Sequence, residues 1–277
     1  MNQTRISKRF EQLRKEGNPG LVAYLTAGDP SIERTPDLVL ALERGGADII
    51  ELGVPFSDPI ADGPVIQRGS ARALKNGTNV TKVLEMAKKI REKSEIPLLL
   101  FSYMNPLLSY GFERLAVDAV AAGIDGCLMT DLSVEEAEPY VGSLRKAGLD
   151  TVFLAAPTSP PARLELVARY SSGFVYLVSR TGVTGEQDQL SDAVGPLVAN
   201  TRKFTDLPLA VGFGIATARD AAAVGAIADA VVVGSAIVRL IENNSDSPEL
   251  EQKLEALARN LKQGALSAKK QWPKSNE

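Results

Sequence analysis

Residues 51–64 read Glu-Leu-Gly-Val-Pro-Phe-Ser-Asp-Pro-Ile-Ala-Asp-Gly-Pro, which places three carboxylates on an apolar strand end and the loop after it. Asp48-Ile49-Ile50 and Leu52 form the strand, so Glu51 falls at its C-terminal end among apolar neighbours, where its carboxylate is expected to be partly desolvated. A carboxylate buried without a role is costly, and perturbed carboxylates mark sites; Glu51 is therefore read as functional. Pro55, Pro59 and Pro64 fix φ and stiffen the loop that carries Asp58 and Asp62. Both aspartates also suit turns, before Pro59 and Gly63, and Asp58 is read as a turn residue. The chain has no histidine, which rules out an imidazole acid/base, a His-based triad and a His-ligated metal. Any proton transfer then falls to carboxylates, and no metal ligand set is expected.

A second group of residues has the form of a phosphate cradle. Gly212-Phe213-Gly214-Ile215 follows one apolar strand, and Gly234-Ser235 follows the next and opens a helical run over 236–242. Glycines let a ligand approach backbone N–H groups, and a helix N-terminus attracts an anion without a lysine. Ser235 can cap the helix as well as donate. Taken singly these are turn and cap residues; two such loops after consecutive strands suggest a site. The stretch 179–189, Ser-Arg-Thr-Gly-Val-Thr-Gly-Glu-Gln-Asp-Gln, is longer than a crossover turn needs and is read as a lid. Tyr103, Asn105 and Tyr176 add polar tips to strands that are otherwise apolar.

The elements that must position these residues alternate along the chain. Apolar runs at 21–25, 48–52, 97–103, 126–130, 151–155, 173–178, 207–211 and 230–233 give eight strands. Between them lie amphipathic helical patterns at 80–91, 112–122, 134–147, 161–170 and 193–203. Continuously apolar strands, each followed by a helix, fit a closed (β/α)8 TIM barrel, with the phosphate loops after strands seven and eight. The open doubly wound alternative wants a glycine-rich phosphate turn after strand one, and Thr26-Ala27-Gly28-Asp29-Pro30 is not one. Ile6, Phe10 and Leu13 fall at helical spacing in an extra N-terminal helix that plugs one end of the core. An additional C-terminal helix spans 249–266, and residues 269–277 are expected to fray. No linker or composition shift divides residues 1–277, so a single domain is expected.

Composition narrows the partners. A formal charge of −3 gives no basic surplus for nucleic acid or an anionic membrane, and points to a small-molecule substrate. No apolar run reaches membrane-spanning length and no signal-peptide core opens the chain, so a cytoplasmic protein is expected. Cys127 is the only cysteine, lies in an apolar run, and is read as a core filler.

Together, the 51–64 stretch, Ser-Arg-Thr-Gly-Val-Thr-Gly at 179–185, Gly-Phe-Gly-Ile at 212–215 and Gly-Ser-Ala-Ile-Val at 234–238 closely resemble the tryptophan synthase alpha chain family. The resemblance runs from the N-terminal helix to the helix after Gly234. It implies cleavage of indole-3-glycerol phosphate to indole and glyceraldehyde 3-phosphate, by a lyase acting in L-tryptophan biosynthesis. It implies an alpha2-beta2 heterotetramer with a beta chain that carries pyridoxal phosphate, and no cofactor in this chain. Residue by residue, Glu51 and Asp62 match the catalytic carboxylates, with Tyr176 near Glu51 and Thr184 as the lid threonine that steadies the aspartate. Gly185, Gly214, Gly234 and Ser235 match phosphate-binding positions, and Tyr24, Phe101, Leu128, Leu154 and Phe213 line the indole pocket. The sequence departs from the family's commoner wording at Thr130, where proline is expected before Asp131, and at Ala216, where serine or threonine is usual. Two other readings fit the same residues: a stand-alone lyase that releases free indole, and a barrel that has lost catalysis and only activates its partner. Retention of both Glu51 and Asp62 speaks against the second.

Overall fold

The computed structural model describes residues 3–178, 193–212 and 214–268. The lid stretch 179–189, Phe213 and the tail 269–277 therefore lie outside the described residues. Among those described, nine parallel strands form one sheet: β1 (Gly20–Thr26), β2 (Ile49–Gly53), β3 (Leu98–Ser102), β4 (Gly126–Met129), β5 (Asp150–Val152), β6 (Leu154–Ala155), β7 (Val175–Val178), β8 (Leu209–Gly212) and β9 (Ala230–Val233). Their spatial order is β5-β4-β3-β2-β1-β9-β8-β7-β6. The eight expected strands become nine because the fifth divides at Phe153. Its first half pairs with β4 and its second with β7, so the chain itself joins the two ends of the sheet into a barrel. Tyr176 N donates to Phe153 O at 3.1 Å, and Ser172 N donates to Thr151 O at 2.7 Å across the same seam.

Successive residues of a strand face opposite sides, which divides the apolar residues into two layers. Leu21, Ala23 and Leu25 of β1 and Ile50 and Leu52 of β2 pack outward beneath the helices. Cys127 joins this outer layer, free and buried, with its thiol pushed up to about 12 by desolvation. Val22, Ile49, Leu99, Leu128, Val152 and Phe174 fill the inside with Ile6, Phe10 and Leu13 of α1 (Arg5–Glu16). That helix starts at Thr4, whose hydroxyl accepts from Ser7 N at 3.2 Å, and ends at Gly17, whose φ of 69° is a left-handed conformation glycine adopts without strain. It closes the N-terminal end of the barrel. A side chain at Gly20 would put its Cβ 3.0 Å from Leu13 Cδ1.

The helices α2 (Thr35–Arg44), α3 (Pro64–Lys75), α4 (Val80–Arg91), α5 (Met104–Tyr110), α6 (Phe112–Ala121), α7 (Glu138–Ala147), α8 (Pro161–Tyr170), α9 (Val194–Thr201), α10 (Ala218–Gly225), α11 (Ser235–Asn243) and α12 (Leu250–Ser267) surround the strands. The sequence pattern does not anticipate α3, α5 or α10. No helix among the described residues is long and apolar enough to cross a membrane.

The N-terminal face is held by aspartates that precede strands. Asp48 Oδ2 accepts from Leu21 N at 2.6 Å and Lys262 Nζ at 2.7 Å, while Oδ1 accepts from Arg9 Nη2 at 2.6 Å. Asp125 Oδ2 accepts from Leu98 N at 2.9 Å and Arg91 Nη2 at 2.8 Å. Asp229 accepts from Leu209 N at 2.8 Å and pairs with Arg202. Each carboxylate bridges the start of a neighbouring strand to a cation from a helix or the turn after one, so each buried charge is both paired and hydrogen-bonded. Removing one partner of such a set is costly because the others stay buried. Asp48→Ala is expected to destabilise the protein by on the order of 3 kcal/mol, read from urea unfolding; a loss below about 1 kcal/mol, the scale of a surface pair, would show that Arg9, Lys262 and Leu21 N find other partners.

Candidate active site

The strand alternation that sends Ile50 and Leu52 outward sends Glu51 inward, next to Tyr24, its register partner on β1. Glu51 is 1% exposed, and its Oε1 has no hydrogen-bond partner among the described residues. Desolvation alone raises its pKa to about 8. A carboxyl group in that environment holds a proton at neutral pH and is placed to give it up.

Two glycines make room for the aromatic residues on either side. A Cβ on Gly53 would lie 2.3 Å from the Tyr24 hydroxyl oxygen, and one on Gly212 would lie 2.3 Å from that of Tyr176. Both tyrosines therefore lie across the inner face of a neighbouring strand, over positions where only glycine fits. Burial and the charges of Asp62 and Glu51 raise both phenols well above their usual range, so they remain neutral. Tyr24 meets Phe101 edge to face, with ring centroids 5.1 Å apart.

Asp62 arrives from the loop. Asp62 N donates to Pro59 O at 3.0 Å, Gln67 Nε2 donates to Asp62 O at 2.8 Å, and α3 begins two residues later with Pro64 at its first turn. The Asp62 side chain is buried, and its Oδ2 accepts from the Tyr103 hydroxyl at 3.0 Å; that hydroxyl in turn accepts from Ala61 N at 3.0 Å. Phe56 packs on the Tyr103 ring at 5.2 Å. Burial raises the Asp62 pKa to about 6, and the Tyr103 hydrogen bond opposes the rise. Asp58 is exposed and bonded to Ser57, as befits a turn residue.

One cleft brings together Tyr24, Glu51, Asp62, Phe101, Leu154 and Tyr176, with Gly214, Gly234 and Ser235 also lining it. Ala61, Ile66, Thr130, Ile215 and Val232 complete the lining; Ile215 belongs to the expected phosphate loop, and the sequence gives the other four no site role. Gly214 has φ 84°, a conformation that favours glycine. Gly234 rather than Ser235 is the N-cap of α11; Ser235 is the first helical residue, and the N-cap makes no side-chain hydrogen bond. Leu128 is fully buried among the barrel-filling residues beneath, and does not line the cleft: as the inward residue two before Thr130, it sits one layer lower. Asn105 is exposed on α5 rather than a polar tip of the interior. Thr184, Gly185 and Phe213 lie outside the described residues. Ala216 costs the next helix no cap, since Thr217 and Asp220 form a capping box and Ala216 N donates to Asp220 Oδ2 at 3.2 Å. Among the described residues, no group of three or more His, Cys, Asp or Glu converges as a metal site.

The sequence singles out Tyr103 but not its partner, gives Gly53 no role, and places Gly212 in the phosphate loop rather than beneath the Tyr176 ring. The missed signal is a glycine at an inward strand position beside a tyrosine on the adjacent strand.

The family model described as "Tryptophan synthase alpha chain" matches residues 10–266. The chain belongs to the tryptophan synthase alpha chain family. A tryptophan synthase alpha chain from Solibacter usitatus is 65% identical over 261 residues, covering 94% of this chain and 98% of that one. One from Geotalea uraniireducens is 49% identical over 261 residues, covering 94% and 97%. Among solved structures, tryptophan synthase subunit alpha from Legionella pneumophila superposes with a TM-score of 0.87 at 35% identity, over 95% of this chain and 99% of that one. A chain of Mycobacterium tuberculosis tryptophan synthase does so with 0.88 at 35% identity, over 96% and 99%. As the alpha subunit, the chain cleaves indole-3-glycerol phosphate to indole and glyceraldehyde 3-phosphate in tryptophan biosynthesis. It joins a beta chain in an alpha2-beta2 complex and needs no cofactor itself, pyridoxal phosphate being held by the beta chain. The stand-alone lyase is the less favoured reading.

Burial of Glu51 has a measurable effect on stability. Its folded pKa of about 8 lies above the ordinary 4.5, so the folded state holds the proton more tightly than the unfolded chain. The resulting contribution is fully present below pH 4.5 and is lost as pH rises through about 8. Glu51→Gln, which cannot ionise, is expected to melt at a higher temperature than the parent at pH 9, with the difference closing below pH 5. Parallel melting curves across that range would sink the raised pKa.

Proposed function

We propose that Glu51 and Asp62 divide the proton transfers of indole-3-glycerol phosphate cleavage. The carrying observation is that one cleft holds a buried, partly unpartnered Glu51 and a hydrogen-bonded Asp62, beside the N-terminus of α11. Protonated Glu51 gives its proton to indole C3, which leaves positive charge on the ring nitrogen. The Asp62 carboxylate stabilises that charge and accepts a hydrogen bond from the indole N–H. Glu51, now ionised, takes the proton of the hydroxyl on the side-chain carbon attached to C3. The carbon–carbon bond breaks, its electron pair returns to the ring, and the oxygen becomes the aldehyde of glyceraldehyde 3-phosphate. The proton count on Glu51 is restored within the cycle.

Tyr24, Phe101 and Leu154 supply apolar walls for the flat indole, over a layer that contains Leu128. Gly214, Gly234 and Ser235 offer backbone N–H groups and the dipole of α11 to the phosphate, joined by Gly185 according to the family pattern. Tyr176 flanks Glu51; by the family pattern alone, Phe213 is assigned to the indole walls and Thr184 to steadying Asp62. The chain works as one barrel unit in the cytoplasm.

Glu51→Gln is expected to lower indole release by about 10²–10⁴-fold, the usual worth of a positioned acid or base, while glycerol 3-phosphate still binds. Asp62→Asn is expected to lose activity on the same scale, because the amide keeps the shape without the charge. The assay is indole release from indole-3-glycerol phosphate, with and without a beta chain. A Glu51→Gln enzyme within about tenfold of the parent would end its assignment, and unchanged turnover in Asp62→Asn would leave Asp62 a turn residue.

A further inference from the structure

The two working ends of the cleft sit on different elements: Asp62 leads into α3, and the phosphate-facing Gly234 and Ser235 lead into α11. Behind the cleft these helices are tied by charged groups that take no part in the chemistry. Arg72 of α3 forms a two-pronged pair with Asp29 of the β1–α2 loop, Nε to Oδ1 and Nη2 to Oδ2, both at 2.8 Å. Its remaining arm, Nη1, donates to Glu242 Oε1 of α11 at 2.7 Å. Arg68, one turn earlier on α3, donates to the two oxygens of Glu242 at 2.7 and 2.8 Å. Asp29 is completely buried. Gly69 sits between the two arginines, where a Cβ would come 2.9 Å from Val238 Cγ1 of α11 and 3.2 Å from Asp29 Oδ2. Val238 of α11 thus packs directly on the α3 backbone at Gly69, and the two helices are tied by the planar, two-pronged Arg68–Glu242 pair and a single Arg72–Glu242 bond.

We propose that Glu242, with Arg68 and Arg72, is a positioning group that sets the spacing between the phosphate-binding end of the cleft and the Asp62 carboxylate. A substrate gripped by its phosphate is then presented to Asp62 at a fixed reach. The clamp acts through helix position and touches no substrate atom; a shift of about 1 Å at that reach can cost about a hundredfold in rate. The inference rests on the reading of Asp62 as a reacting group.

Glu242→Gln removes the charge and one of the two acceptor oxygens, so the two-pronged Arg68 pairing to α11 is lost while the Arg72–Asp29 pair stays in place; the Glu242 side chain is 21% exposed, so the amide can be hydrated. The expected result is a kcat about tenfold below the parent, with glycerol 3-phosphate affinity within about twofold, since positioning is lost and the anion site is kept. In an Asp62→Asn background, the same substitution is expected to cost less than about twofold, because residues that act through one another are not additive. Equal tenfold losses in both backgrounds, or a matching fall in glycerol 3-phosphate affinity, would overturn the proposal and leave the clamp a structural brace. If Asp62→Asn alone costs nothing, the reading of Asp62 fails instead. Should Glu242→Gln not fold, Arg68→Met takes the same measurements, its side chain being 52% exposed.

Discussion

The constraint on which the rest depends is the burial of the Glu51 carboxyl without a full set of partners. Taking such a group out of water is unfavourable, and the unpaired oxygen adds to the cost. The barrel tolerates it because its other face treats carboxylates in the opposite way. Asp48, Asp125 and Asp229 are as deeply buried as Asp62, yet each accepts a backbone N–H from the preceding strand and at least one guanidinium or ammonium. The same chemical group thus fastens the strands at their N-terminal ends and, near their C-terminal ends, lies buried in the cleft with a raised pKa. This matches the general division of such barrels into a stabilising and a working face.

Shape follows from the same economy of space. Inward positions near the C-terminal rim alternate between a large ring and no side chain at all: Tyr24 over Gly53, Tyr176 over Gly212. The rings replace water around Glu51 and keep its neighbourhood apolar, which is the cause of its raised pKa. Further down, Leu99, Leu128 and Val152 fill the interior, and α1 closes the bottom with Ile6, Phe10 and Leu13. The cleft that holds Glu51 and Asp62 therefore lies at the C-terminal rim, above this filled interior.

What was legible in the sequence was whatever a single period or a short motif carries. Apolar runs gave the strands to within one or two residues at most ends, and the spacing of Ile6, Phe10 and Leu13 gave the plug. Helix α3 was not legible, because its buried face mixes Val65 and Ile66 with Gly69, Ser70 and Ala73. Small residues mark close approach to a neighbour, and a hydrophobic period cannot register that. Helix α5 is seven residues long, too short to establish a period. The division of strand five at Phe153 was hidden for another reason: closure of the barrel is a property of pairing, not of composition. In the site, Glu51 stood out because nothing local competes for a strand-end carboxylate. The Tyr103–Asp62 bond did not, since it joins residues 41 positions apart.

That bond also separates the two carboxyls in protonation. Both are raised by burial, to about 8 for Glu51 and about 6 for Asp62. Among the described residues, Asp62 has a side-chain donor against it and Glu51 Oε1 has none, and hydrogen bonding to the charged form favours ionisation. At neutral pH the pair is consequently one acid and one carboxylate, the arrangement that a reaction needs if it protonates carbon at one end of an indole and stabilises positive charge at the other. The difference arises from where the two residues sit. Glu51 is fixed in a strand with no polar neighbour aimed at one of its oxygens, whereas Asp62 is carried by a loop to the tip of Tyr103. Two side chains of the same kind are thus set to different protonation among the described residues, by a hydrogen-bond donor at Asp62 and none at Glu51 Oε1.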